Sequence, residues 1–158
     1  MKNLIKLLFI IILMGPVAGA FVSSCSEETI CEGRPSMNCY IYKTKSLTAV
    51  NDTLDSLTVT AFGTDSIIIN NDKDVHDMLL PLRYTQDYTI FVLHYSAKLR
   101  DTIIVEHSNT PKFISMDCGY QMQQSITKVS YSKHKLDSIY ISNEEANTSK
   151  TENLKLFY

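Results

Sequence analysis

The sequence has no Trp, only five Gly and four Pro in 158 residues, and no surplus of positive charge, with 15 Lys+Arg against 17 Asp+Glu. Each shortage excludes something. So little Gly and Pro is incompatible with a collagen-like or low-complexity chain. Without a basic surplus there is no face to displace counterions from phosphate, which argues against a nucleic-acid partner. Beyond the first two dozen residues no long apolar run remains, so no interior segment is expected to cross a bilayer as a helix. The absence of Trp weakens a carbohydrate-binding reading. A Gly-x-Ser-x-Gly elbow, a His-Glu-x-x-His pair and a Gly-rich phosphate loop are all missing, so the sequence offers no catalytic constellation and implies no cofactor.

What is present begins with an address. Lys2 and Lys6 precede an apolar run over residues 7–14, and Gly15 and Pro16 then break it. A positive start, a short apolar segment and small residues after it make a secretory signal. Residues 4–22 are long enough for a membrane anchor, but Lys6, Gly15, Pro16 and Gly19 weaken that span. Ala18-Gly19-Ala20 fits an ordinary signal peptidase, whereas Val22-Ser23-Ser24-Cys25 has the form of a bacterial lipobox. In such lipoproteins the thiol receives a diacylglycerol and the new amino terminus a further acyl chain, such as palmitate. Each buried methylene adds about 0.8 kcal/mol, so several chains hold a protein stably on a bilayer. The lipobox is favoured because Cys25 also marks the point where the sequence turns polar. Residues 1–24 are therefore expected to be a signal peptide and 25–36 a lipidated tether, with one domain over 37–158. Loss of 1–24 removes two lysines and no acid, moving the formal charge from -2 to -4. Ser26-Glu27-Glu28 directly after Cys25 resembles the export signal that carries Bacteroidetes lipoproteins to the outer leaflet of the outer membrane. The expected location is therefore the outer membrane, surface-exposed, with a periplasm-facing protein as the alternative.

Besides Cys25 the chain has Cys31, Cys39 and Cys118. With Cys25 acylated, three thiols in an oxidising compartment imply one bridge and one odd cysteine. Cys39 aligns with Ile41, and Cys118 with Ile114 and Met116, at the spacing of one strand face. That alignment and the larger loop closed favour Cys39–Cys118, with Cys31 as the alternative partner. The spacings suit no metal site.

The mature chain reads as short strands separated by Asn, Asp, Ser and Gly: residues 39–44, 57–62, 66–70, 88–95, 102–107, 112–118, 126–131, 138–142 and 153–158. Residues 88–95, with Phe91 and Leu93 opposed to Ile90 and Val92, are expected to form the central strand. Three successive isoleucines, Ile67 to Ile69, suggest a strand covered on both sides. Short turns are expected at 73–80 and 120–125. No dozen residues show sustained helical periodicity, so the expected fold is all-β, an antiparallel sandwich of immunoglobulin-like kind, with a small barrel as runner-up.

Half of the ten Asp residues precede Ser or Thr and then an aliphatic residue: Asp52-Thr53, Asp55-Ser56, Asp65-Ser66, Asp101-Thr102 and Asp137-Ser138. Turn chemistry alone accounts for this pattern, because Asp and Ser bond nearby backbone where a loop meets a strand. The same pattern resembles the O-glycosylation acceptor of Bacteroidetes, so Thr53, Ser56, Ser66, Thr102 and Ser138 are candidate acceptors. His76, His94, His107 and His134 show no ligand spacing; His94 and His107 could meet if their strands pair. Residues 70–74 are oxygen-rich but lack the Gly and Glu of a calcium loop. Nine Tyr residues raise a glycan-binding alternative, although most lie in expected strands, where rings pack ordinarily.

Several stretches together carry a resemblance: Cys39-Tyr40-Ile41-Tyr42, the run from Asp52 to Asn70, Leu80-Pro81-Leu82, Asp101-Thr102-Ile103, Ser115-Met116-Asp117-Cys118-Gly119-Tyr120, and Glu152-Asn153 with the five residues after it. In these the chain resembles an uncharacterised family of small Bacteroidetes lipoproteins, a domain of unknown function. The resemblance implies an all-β outer-membrane lipoprotein and transfers no catalytic residue. The expected role is structural or accessory, a tethered module held to the membrane by its lipid and docking on a protein partner in the outer membrane. A glycan- or small-ligand-binding module is the alternative.

Overall fold

A computed structural model describes residue 31 and residues 33–45, 48–64 and 66–158. Ten strands run in chain order: β1 Met37–Lys45, β2 Thr48–Asn51, β3 Leu54–Ala61, β4 Ile67–Val75, β5 Asp77–Leu80, β6 Tyr88–His94, β7 Arg100–Ser115, β8 Gly119–Tyr131, β9 Ser138–Ile141 and β10 Leu154–Phe157. No helix occurs among the described residues, and the fold is all-β.

The strands form two five-stranded sheets. One has the order β4-β3-β6-β7-β8 and is antiparallel throughout. The other has the order β2-β1-β10-β9, with β5 also paired to β1. There β5 takes residues 37–40 of β1 and β2 takes 42–45, so the two short strands follow each other along one side of β1. One pairing departs from the antiparallel expectation: β1 and β10 run parallel, Cys39 beside Leu154 and Ile41 beside Leu156. Parallel neighbours need a long connection, and here the other eight strands supply it.

Alternation explains the packing. Leu57 and Val59 of β3, Phe91 and Leu93 of β6, and Ile103 and Val105 of β7 point inward from one sheet. Met37, Cys39 and Ile41 of β1 and Leu154 and Leu156 of β10 meet them from the other. As expected, β6 is central in its sheet. The isoleucine run is not covered on both sides: β4 is an edge strand, and Ile67 is 57% exposed.

Residues 116–118 of the expected strand 112–118 are turn, whereas its residues 112–115 and the expected strand 102–107 are parts of the single 16-residue β7. Its partner β8 begins at Gly119, so the stretch expected as a turn at 120–125 is strand. The stretch expected as a turn at 73–80 holds the end of β4 and all of β5. The hairpin case has a physical origin in its pairing. Polar residues such as Gln121, Gln123, Asn109 and Thr110 are tolerated in a hairpin whose partner satisfies their backbone, whatever their side chains prefer. The folded unit spans Cys31–Tyr158. It therefore takes in residues expected as tether: Pro35 is buried, and Ser36 bridges to Asn147.

Candidate functional site

The residues that carry the described surface chemistry gather at the far end of β7 and β8. Beyond the level where β6 ends, marked by the Tyr88–Glu106 pair, β7 keeps β8 as its strand partner, while residues 144–146 bond the other edge of β8 at Gln124 to Ile126. Residues 110–114 are all exposed. Pairing persists through Phe113 with Tyr120 and Ser115 with Gly119, and residues 116–118 make the turn. Gly119 adopts φ +66, which a residue without a Cβ accepts at little cost. The Ser115 hydroxyl accepts a bond from the Cys118 N–H at 3.1 Å, tightening the turn.

This hairpin end holds the disulfide, and the pairing corrects the expectation. Cys118 is bonded to Cys31, with a Cα–Cα distance of 5.5 Å, and Cys39 is free and buried. Cys118 is not in line with Ile114 and Met116, because the strand has ended by Ser115. Cys39 sits on the inner face of β1 between Leu154 and Met78, deep in the core. A core position on one sheet cannot reach a turn at the end of a protruding hairpin. Burial pushes the Cys39 thiol well above its ordinary pKa. From Cys31 the chain runs back along the hairpin into the sandwich. The Gln121 side-chain amide donates to the Gly33 carbonyl at 2.7 Å, Arg34 stacks over Tyr84 at 3.8 Å and donates to the Leu82 carbonyl, and β1 then begins.

The same end presents apolar side chains. Phe113 is 50% exposed, Ile114 41%, Met116 90% and Tyr120 73%, and the Phe113 and Tyr120 rings meet edge to face at 5.4 Å. A hollow of about 270 Å³ lies between the hairpin and the segments carrying Pro35 and residues 145–148, lined by Pro35, Lys112, Ile114, Gln123, Glu145 and Asn147 among others. A smaller one of about 150 Å³ adjoins the disulfide and Tyr120. The other strongly exposed tyrosines, Tyr88 and Tyr140, lie on β6 and β9, so neither smaller nor larger hollow here pairs two tyrosines.

Elsewhere the polar constellations hold the fold. Asp101 is fully buried: Oδ1 accepts from the Ser132 hydroxyl at 2.7 Å, the His134 N–H at 2.8 Å and His134 Nδ1 at 3.0 Å, while Oδ2 accepts from the Lys135 and Leu136 N–H groups. Burial pushes its pKa up, but the donations from Leu136, Lys135, Ser132 and His134 outweigh it and leave the carboxyl below the usual range. Glu152 accepts from the Tyr42 hydroxyl at 2.6 Å and from Ser142 at 2.8 Å. Its carboxylate, with burial second, pushes the Tyr42 pKa up to about 12. Asn153, also buried, accepts from the Asn38 N–H and donates to the Asn143 and Glu145 carbonyls. The Glu-Asn ending thus fastens β10 and its preceding loop to β1.

The histidines do not meet. His94 pairs with Arg100 and bonds Thr60 at 3.1 Å, whereas His107 lies at the other end of the β6–β7 pair and bonds Thr89 at 2.9 Å. Burial holds the His107 pKa below its ordinary value. Among the described residues no three His, Cys, Asp or Glu side chains converge as metal ligands. Residues 70–74 lie in exposed β4, with Asn71 and Asp74 at positive φ.

Of the candidate acceptors, Thr53 and Ser66 are exposed at the entries to β3 and β4, while Ser56, Thr102 and Ser138 are half-buried within strands. Thr102 is engaged on both sides, its N–H donating to the Ser132 hydroxyl and its carbonyl accepting from the Ser132 N–H. Cys25 lies outside the described residues. The hairpin end was missed in sequence because its alternation stops at the turn; the signal that could have found it was Phe113, Ile114, Met116 and Tyr120 flanking Cys118-Gly119.

No curated protein and no solved structure matches the chain. Residues 56–158, which include the disulfide-bound turn and the Glu152-Asn153 fastening, match the model of a family of unknown function (DUF6452), and the chain belongs to that family.

Proposed function

We propose that this protein is a lipid-anchored lipoprotein of the Bacteroidetes outer membrane, and that its β-sandwich is a structural or accessory module without enzymatic activity. Residues 1–24 act as the signal peptide, Cys25 is acylated, and the module is displayed on the cell surface. The observation that carries this reading is the lipobox Val22-Ser23-Ser24-Cys25 at the polar boundary, only six positions before the folded unit begins at Cys31. The protein partner adds a strand to the open edge of β4, where Ile67 is exposed. Exposed Thr53 and Ser66 are the acceptors best presented to a glycosyltransferase.

The test joins acyl labelling to a thiol count. With Cys31 and Cys118 bonded and Cys39 buried, the denatured, unreduced native protein should expose one thiol if Cys25 is acylated. It should incorporate a clickable palmitate analogue that a Cys25→Ala variant does not incorporate. Two free thiols in a soluble, unlabelled product would refute the anchor.

A further inference from the structure

The geometry points to a second membrane contact: the end of the β7–β8 hairpin, with Phe113, Ile114, Met116 and Tyr120, seats in the interface of the bilayer that carries the lipid anchor. This rests on the anchor reading above and adds an orientation to it. The argument starts from the disulfide. Cys31 is bonded to Cys118 in the hairpin turn, so the tether leaves the folded unit at the hairpin end and not from the body of the sandwich. Six residues from Cys25 to Cys31 span at most about 21 Å when fully extended. An acyl chain on Cys25 therefore holds the turn within that distance of the headgroups, whatever path the tether takes.

The chemistry of the hairpin end fits lipid better than a protein groove. Its apolar groups crowd the last turn of the hairpin: Phe113 and Tyr120 form a cross-strand pair, Ile114 sits in the bulge between Phe113 and Ser115, and Met116 stands 90% exposed at the apex. Between Phe113 and Tyr120 the only charged residue is Asp117, and Lys112 follows immediately outside, at the height where an ammonium reaches headgroup phosphate. Tyr120 supplies the amphipathic ring favoured at membrane interfaces.

The absence of Trp provides a clean probe. The full chain would be produced with its own signal in a Bacteroidetes host as two single-Trp variants, Phe113→Trp and Leu99→Trp. Leu99 is also partly exposed but lies in the β6–β7 turn, on the order of 45 Å from Phe113 along β7. Each acylated protein would be reconstituted in phosphatidylethanolamine/phosphatidylglycerol vesicles with or without brominated acyl chains, and flotation scored on the same samples. The expected result is a blue shift and about twofold quenching for Phe113→Trp, as for a ring seated ~5–10 Å into the interface, and no change for Leu99→Trp. Flotation without quenching at Phe113→Trp, or equal quenching of both variants, overturns the membrane contact and leaves the anchor standing. Failure to float overturns the anchor and this contact with it. Shielding of Phe113→Trp from a soluble quencher in native membranes but not in lipid vesicles would assign the hairpin end to a protein and overturn the contact.

Discussion

One strand shows two regimes. Over residues 101–107, β7 lies between β6 and β8, and Asp101, Ile103, Val105 and His107 alternate inward while Thr102, Ile104 and Glu106 face out. Over residues 110–115 the same strand has one partner, nothing buried, and a covalent bond at the turn. In the first half, packing and satisfied polar groups hold the chain. In the second, strand pairing and a disulfide hold it and leave its side chains free for other work. A residue's type therefore says less about its role than the number of layers over it: Ile103 is core and Ile114 is surface, eleven positions apart on one strand.

Substitutions should separate the two halves. Asp101→Ala strands several buried donors at once and is expected to cost about 4 kcal/mol in urea unfolding. Its pH dependence has a definite sign. The folded carboxyl titrates below its unfolded value, so its stabilisation is complete above about pH 4 and fades as pH falls below that. The gap between wild type and Asp101→Asn should therefore narrow on acidification through that window. Next in size, Cys118→Ser opens a loop of 87 residues' separation and is expected to lower stability by about 3 kcal/mol. It should also make the hairpin end the first segment to exchange amide hydrogens, whereas Asp101→Ala should loosen 132–136.

Smaller again, Ile103→Val should cost about 1 kcal/mol, measured by thermal denaturation. Phe113→Ser, at the other end of the strand, should stay within about 0.5 kcal/mol of wild type in the same experiment. An equal loss at both positions would erase the distinction between the halves. His107 sharpens it from the acid side. Held neutral by burial, it binds its proton more readily in the unfolded chain, so stability should decline as pH drops below about 6.5. A His107→Gln variant should show a shallower decline over that range.

Much of the fold could be read from alternation. Residues 88–95 name the central strand because Phe91 and Leu93 recur at period two, and residues 153–158 name the last strand for the same reason. The long hairpin was less legible, since residues 120–125 and 108–112 are polar and become strand only because each satisfies the other's backbone. The Asp-Ser/Thr repeat looked uniform, yet Asp101 is buried with its oxygens fully engaged while Thr53 and Ser66 face solvent. Local chemistry is the same at these sites, and burial is not a local property.

By itself the sequence determined that the chain is built of strands, because side-chain alternation and turn residues act over a few positions. It left the pairing of Cys31, Cys39 and Cys118 open. Which pair bonds and which sheet edge stays open were decided by tertiary structure alone. These depend on which strand ends meet in space, through contacts that join residue 31 to 118 and 39 to 154, and no short-range pattern encodes such separations.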